Sequence, residues 1–169
     1  LLYQPSDVMS FSRIANVPAR GVGATSLERF LTWQAGSGMT IVEALGAVGE
    51  AGVVTGKAKA SLTRLGETLR ALQENLETSA PGELVEQTIR QTGYRDYILD
   101  GTPQSEEHEE NLGSLISDAQ NFATLPDFLE EVALMSSVDS QTEDNKVTLM
   151  TVHAAKGLEF PVVFMVGME

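Results

Sequence analysis

The chain has 169 residues, 42% of them hydrophobic, enough to bury one ordinary core or one core plus a fragment. Its formal net charge of -13 argues against a protein that simply coats nucleic acid, and the absence of cysteine excludes disulfides and thiolate zinc sites. No apolar run approaches the roughly 18 residues of a membrane span and the start is not signal-like, so neither a span nor secretion is expected and a cytoplasmic location is consistent.

Leu1-Leu2-Tyr3 reads as the tail of an element that begins upstream, a stub over residues 1–5. Pro5-Ser6-Asp7 is a helix start, in which Ser6 or Asp7 caps a short helix carrying Val8, Met9, Phe11 and Ile14. Val17-Pro18-Ala19-Arg20-Gly21-Val22-Gly23 follows. A second helix start comes at Thr25-Ser26-Leu27-Glu28, where Thr25 and Glu28 fit a capping box. Helix, Gly-Val-Gly turn, helix is the layout of a helix–hairpin–helix element. Glycines there let successive backbone N–H groups reach a phosphate at the second helix's amino end, and Arg20 adds charge. Such contacts carry no base identity. From these residues alone a tight glycine turn between two core helices reads the same way.

The middle of the chain is helical throughout. Thr40 and Glu43 form a capping box ahead of Ile41, Val42 and Leu45, and Gly46, Gly49 and Gly52 end or loosen that element. From Lys57 to Glu77, Leu62, Leu65, Leu69, Leu72 and Leu76 fall three and four apart, the stripe of a long amphipathic helix in a bundle core. Pro81-Gly82-Glu83 suits the first turn of a helix through Ile89, with Gly93 at its carboxyl end. Tyr94-Arg95-Asp96-Tyr97 follows, with no chemistry beyond packing.

Gly101-Thr102-Pro103 breaks the chain before Ser105-Glu106-Glu107-His108-Glu109-Glu110. These acidic residues sit where they favour a helix amino terminus, ahead of Leu112, Leu115, Ile116, Ala119 and Phe122, so no metal site is expected. Pro126-Asp127 opens a last helix bearing Phe128, Leu129, Val132 and Met135, and Ser136 to Asn145 is a polar linker. Charge is divided unevenly. Residues 1–70 hold seven Lys/Arg against five Asp/Glu, whereas residues 71–145 hold two against seventeen. Nucleic acid, if bound, touches the first part, and the second is a solvated acidic surface.

Lys146 to Glu169 changes character. Two β-branched apolar runs, VTLMTV and PVVFMV, read as buried strands of an α/β sheet, flanking a loop with His153, Lys156, Gly157 and Glu159. A loop at the end of a buried strand is where open α/β sheets hold ligands. A strand–turn–strand with merely solvated charges fits the same residues.

In order, Thr151, His153, Ala154, Ala155, Lys156, Gly157, Leu158, Glu159 and Phe160, then a hydrophobic strand, resemble motif V of superfamily 1 DNA helicases of the UvrD/PcrA/Rep type. Arg13 to Gly23 resembles the segment opening that family's 2B subdomain, and GYRDYI resembles a turn in it. The resemblance implies a mainly α fold, with a helical 2B-like bundle over residues 6–145 including its linker. It adds a two-strand α/β remnant of a RecA-like 2A domain at residues 146–169, joined by the stub at 1–5. It assigns Thr151, His153 and Lys156 to single-stranded DNA, and Gly157 and Glu159 to nucleotide. Arg20, Gly21, Val22, Gly23 and Thr25 go to duplex DNA.

The function implied is that of an ATP-dependent helicase stepping 3′ to 5′ in DNA repair or replication, using ATP and Mg2+, with DNA and the remaining helicase domains as partners. The chain itself carries no GxxxxGK[ST] and no magnesium-holding Asp-Glu pair after a strand, so no catalytic residue, metal or bound cofactor is expected in it. Two alternatives stand beside this: a docking module for repair or transcription proteins, and part of a RecB- or AddA-like helicase–nuclease.

Overall fold

The first ordered turn is set by a carboxylate: Asp7 accepts a hydrogen bond from the Ser10 backbone N–H at 3.0 Å and starts α1 (Val8–Ile14). Such a cap satisfies a donor that the helix itself cannot. The computed structural model describes residues 1–99, 101, 102, 104–138, 149–151, 155, 156 and 159–167. Among these it forms α2 (Ala24–Ser37), α3 (Ile41–Ala51), α4 (Gly56–Glu74), α5 (Pro81–Gln91), α6 (Tyr94–Ile98), α7 (Ser105–Gln120) and α8 (Leu125–Val138). The chain divides into two units, Leu1–Glu131 and Val132–Glu169.

In the first unit, α1 to α4 enclose one core of Phe11, Ala15, Val22, Phe30, Ile41, Leu45, Val48, Leu62, Leu65 and Leu69 among others. Phe11 and Phe30 pack with their rings tilted by 51° and centroids 5.3 Å apart, and each fully buried side chain of this kind contributes about 1.5–3 kcal/mol. The expected box on α3 is present in both halves: the Glu43 N–H donates to Thr40 Oγ1 at 3.2 Å, and the Thr40 N–H donates to Glu43 Oε2 at 2.8 Å. α3 and α4 cross closely at Gly66, where a Cβ would lie 2.7 Å from Leu45 Cβ and 2.9 Å from the Leu45 carbonyl carbon. Leu1 and Leu2 pack on this same core, and the Pro5 carbonyl accepts from the Ile41 N–H at 2.8 Å. A smaller cluster of Ile89, Ile98 and Leu112, with Val85 and Ile116 against it, joins α5, α6 and α7.

Several expectations are corrected here. Gly23, not Thr25, is the N-cap of α2, and no side chain caps it, so the Thr25–Glu28 box does not form. The turn already holds Gly23 extended at φ -76° and ψ 166°, which starts the helix before Thr25. Gly46 and Gly49 lie inside α3, and only Gly52, left-handed at φ 68°, ends it. α4 stops at Glu74, leaving Leu76 in the following turn. Leu115, expected to be buried, is exposed on α7, and α8 continues past Ser136 into the expected linker.

In the second unit the expected strands are not found among the described residues. Lys146 to Thr148 and Val152 lie outside them, while Leu149–Thr151 and 159–167 carry no ladder. A strand exists only where a neighbour receives its N–H and C=O groups, and no such neighbour is present among the described residues. The apolar side chains are accordingly open: Leu149 is 92% exposed, Phe164 88% and Val166 91%.

Candidate nucleic-acid interface

The turn between α1 and α2 is folded by one amide. Asn16 Oδ1 accepts from the Arg20 N–H at 2.9 Å and from the Val22 N–H at 3.1 Å, so these two donors are used internally. Gly21 sits between them at φ 76°, a left-handed conformation that other residues adopt only with strain. Val22, only 3% exposed, plugs the core and anchors the turn from below. Gly21, Gly23 and Thr25 are exposed above it. From the side, Ser61 Oγ donates to the Arg20 carbonyl at 2.6 Å, tying the turn to α4.

What distinguishes this corner is the state of two helix starts. α2 begins after Gly23 and α4 after Thr55, and neither has a side-chain cap or an acidic residue in its first turn. Every other described helix has at least one such group. Asp7 caps α1, and Glu43, Glu83, Asp96, Glu106 and Asp127 sit in the first turns of α3, α5, α6, α7 and α8. The first N–H groups of α2 and α4 therefore present uncompensated partial positive charge. The turn leading into α2 lies against the start of α4: a Cβ on Gly21 would lie 2.9 Å from Cδ of Lys57, in the first turn of α4. Lys57 is exposed and its stem lies over Gly21, so it brings a full charge to this corner. Together these groups make a place for an anion, independent of what the anion is attached to.

Lys57 is absent from the residues that sequence reasoning assigned. Its signal was a second glycine-led start, Thr55-Gly56-Lys57, with no carboxylate in the following turn. Arg20 was assigned, and its placement differs from the outward one expected. Its Nη1 donates to the carbonyls of Ile14 at 2.8 Å, Val17 at 2.6 Å and Pro18 at 3.2 Å, and its Nη2 to that of Thr92 at 3.0 Å. Partial burial lowers its pKa below the usual arginine range.

In the second unit Thr151, Lys156 and Glu159 are exposed, and the Thr151 carbonyl accepts from the Ala155 N–H at 3.0 Å. His153 and Gly157 lie outside the described residues. The described residues include no group of three or more His, Cys, Asp or Glu able to hold a metal ion. Nor is any helix among them long and apolar enough to cross a membrane.

The family described as UvrD-like helicase C-terminal domain matches residues 52–169. The ATP-dependent DNA helicase PcrA of Bacillus subtilis is 38% identical over 185 residues, which cover 100% of this chain and 25% of that protein. The protein of the same name from Leuconostoc citreum is 36% identical over 183 residues, again 100% of this chain and 24% of the relative. The one from Staphylococcus aureus is 31% identical over 178 residues with the same coverage, 100% and 24%. The chain thus spans about a quarter of the length of the curated relatives it matches.

Proposed function

The chain belongs to the UvrD-like helicase C-terminal domain family, and on that premise we propose that it is the duplex-gripping arm and part of the motor domain of an ATP-dependent DNA helicase. The observation that carries this is the pair of bare helix starts, α2 and α4, with Lys57 of the first turn of α4 lying against Gly21 in the turn that leads into α2. Two such starts match two phosphates of a duplex backbone, and their lack of base-reading side chains matches an enzyme that must move over any sequence. Residues 6–145 form the helix–hairpin–helix arm, called 2B in this family. Residues 1–5 and 146–169 belong to the RecA-like 2A domain.

The open apolar run Val162–Val166 supports the second assignment, because a run of β-branched and aromatic residues is ordinarily buried against neighbouring structure. Thr151, His153 and Lys156 meet the tracked single strand. Gly157 and Glu159 meet the nucleotide, Glu159 as a carboxylate for ribose hydroxyls. The residues present fit that edge of ATP and not its phosphates or Mg2+, since the chain has no phosphate loop. Stepping 3′ to 5′, repair or replication, and a cytoplasmic setting follow for the whole helicase, with this chain alone not a catalyst.

Fluorescence anisotropy of this chain with a hairpin duplex, at about 20 mM and about 200 mM salt, tests the reading. Binding at the lower salt that falls steeply at the higher one is expected; no binding at the lower salt overturns it. A second reading, docking of repair or transcription proteins, has its support in the acidic α5–α7 half, where Tyr94 and Tyr97 are exposed at 5.9 Å from each other. A pull-down retaining a protein but no DNA would favour it.

A further inference from the structure

We infer that Arg20 is a positioning residue for the Gly21–Gly23 turn, clamping it between the carboxyl ends of α1 and α5, and not a ligand of phosphate. This rests on the duplex-contact reading above. Ile14 is the last residue of α1 and Thr92 the C-cap of α5, so the guanidinium sits where both helices direct carbonyls that have no intrahelical donor. Those ends carry partial negative charge, and a planar cation with separate nitrogens answers both together. Nη1 serves the α1 side through Ile14, Val17 and Pro18, while Nη2 crosses to Thr92, 72 residues further along the chain. The backbone of the same residue is held as well, its N–H by Asn16 and its carbonyl by Ser61. Arg20 is thereby tied to α1, α4 and α5, and Gly21 is the next residue along. A guanidinium held by four carbonyls is directed into the protein, whereas a phosphate ligand must be directed out of it.

The consequence is specific. Lysine keeps the charge of Arg20 but offers one nitrogen, which cannot serve both helix ends. Arg20→Lys and Arg20→Gln are therefore expected to weaken hairpin-duplex binding equally, by about fivefold, with the slope of log affinity against log salt unchanged, because no phosphate contact is lost. A wild-type affinity in Arg20→Lys, or a slope reduced by about one in Arg20→Gln, would overturn the inference and restore Arg20 as a phosphate ligand.

Amide hydrogen exchange without DNA tests the clamp by itself. Exchange in Arg20→Lys should rise about tenfold at residues 20–26 and 92–94 together, with Leu45 and Leu62 in the core unchanged. Unchanged exchange at both segments overturns the clamp. Ser61→Ala, which loosens the same turn from α4, guards against an Arg20 variant that fails to fold. It should accelerate residues 20–26 alone, and a response at 92–94 without Arg20 altered would also count against the proposal. If wild-type chain binds no duplex, the functional reading fails while the exchange result still decides the clamp.

Discussion

The side chain of Lys57 lies across Gly21, its Cδ 2.9 Å from the point where a Cβ on that glycine would stand. Gly21 is required by its left-handed φ of 76°, while the flexible lysine stem above it can shift to admit a Cβ. Gly23 is not so required: its backbone is extended and nothing lies within 4 Å of its missing Cβ.

The two glycines should accordingly fail differently. Gly21→Ala is expected to destabilise the fold by about 1–2 kcal/mol, the cost of a left-handed alanine. Gly23→Ala should change stability by less than about 1 kcal/mol, since glycine is only modestly the better N-cap. If the proposed duplex contact holds, it should nonetheless weaken hairpin-duplex binding about tenfold, because the new methyl would obstruct a phosphate approaching the amides. Urea unfolding and anisotropy on both variants separate the effects, and unchanged duplex affinity in Gly23→Ala would remove α2 from the interface.

Lys57→Gln removes one full charge from the corner at Gly21 and leaves the aliphatic stem in place. Duplex affinity should fall several-fold at low salt, and the salt slope should flatten by about one. An unchanged slope would mean that the ammonium meets no phosphate.

Gly66→Ala tests the close crossing of α3 and α4. The added carbon would meet Leu45 Cβ at 2.7 Å and its carbonyl carbon at 2.9 Å, and backbone cannot step aside as a flexible side chain can. Overpacking of this sort costs about 1–3 kcal/mol, more than the gain in helix propensity. Gly49→Ala is the control, because its Cβ would make only an ordinary 3.6 Å contact with Thr63 Oγ1. It should be neutral or stabilising in urea unfolding.

Acid should loosen α1 and α3 first. The Thr40 backbone N–H and hydroxyl hold the Glu43 carboxyl below its usual range, and the Ser10 hydroxyl and backbone N–H do the same for Asp7. Both groups are lowered in the folded state. Their contribution is fully present above the ordinary carboxylate pKa of about 4 and is lost as pH falls through the lowered values. Thr40→Ala should flatten the decline of the urea midpoint between about pH 5 and pH 2. A decline identical to wild type would show that the box plays no part in it.

For the nucleotide edge, this chain with single-stranded DNA should show no ATP turnover above a protein-free control. In the intact helicase Glu159→Ala should weaken nucleotide use and His153→Ala the coupling to single strands. A normal nucleotide dependence in Glu159→Ala would withdraw its assignment to the ribose.

Local signals in the sequence were enough wherever a feature is made by near neighbours. The Thr40–Glu43 box, the Asp7 cap, the leucine stripe from Leu62 to Leu72 and the Gly-Val-Gly turn all depend on residues within a few positions of one another. Lys57 and the inward guanidinium of Arg20 escaped because their partners are distant: Gly21 for one, the Thr92 carbonyl for the other. The misplaced cap on α2 shows a good local motif, Thr25 with Glu28, losing to a turn already held by Asn16 and Val22. The terminal runs show the opposite limit: their composition reads as strand, while their described residues form no ladder.

The uncapped beginnings of α2 and α4 place endurance and grip in opposition. Gly23→Asp would give α2 the cap it lacks and raise stability by about 1 kcal/mol. On the proposed duplex contact, it would also install a fixed negative charge where a phosphate is to sit. A search for heat-tolerant variants would select that change early, and, if the proposed contact holds, would return a sturdier arm with a weakened grip on the double helix.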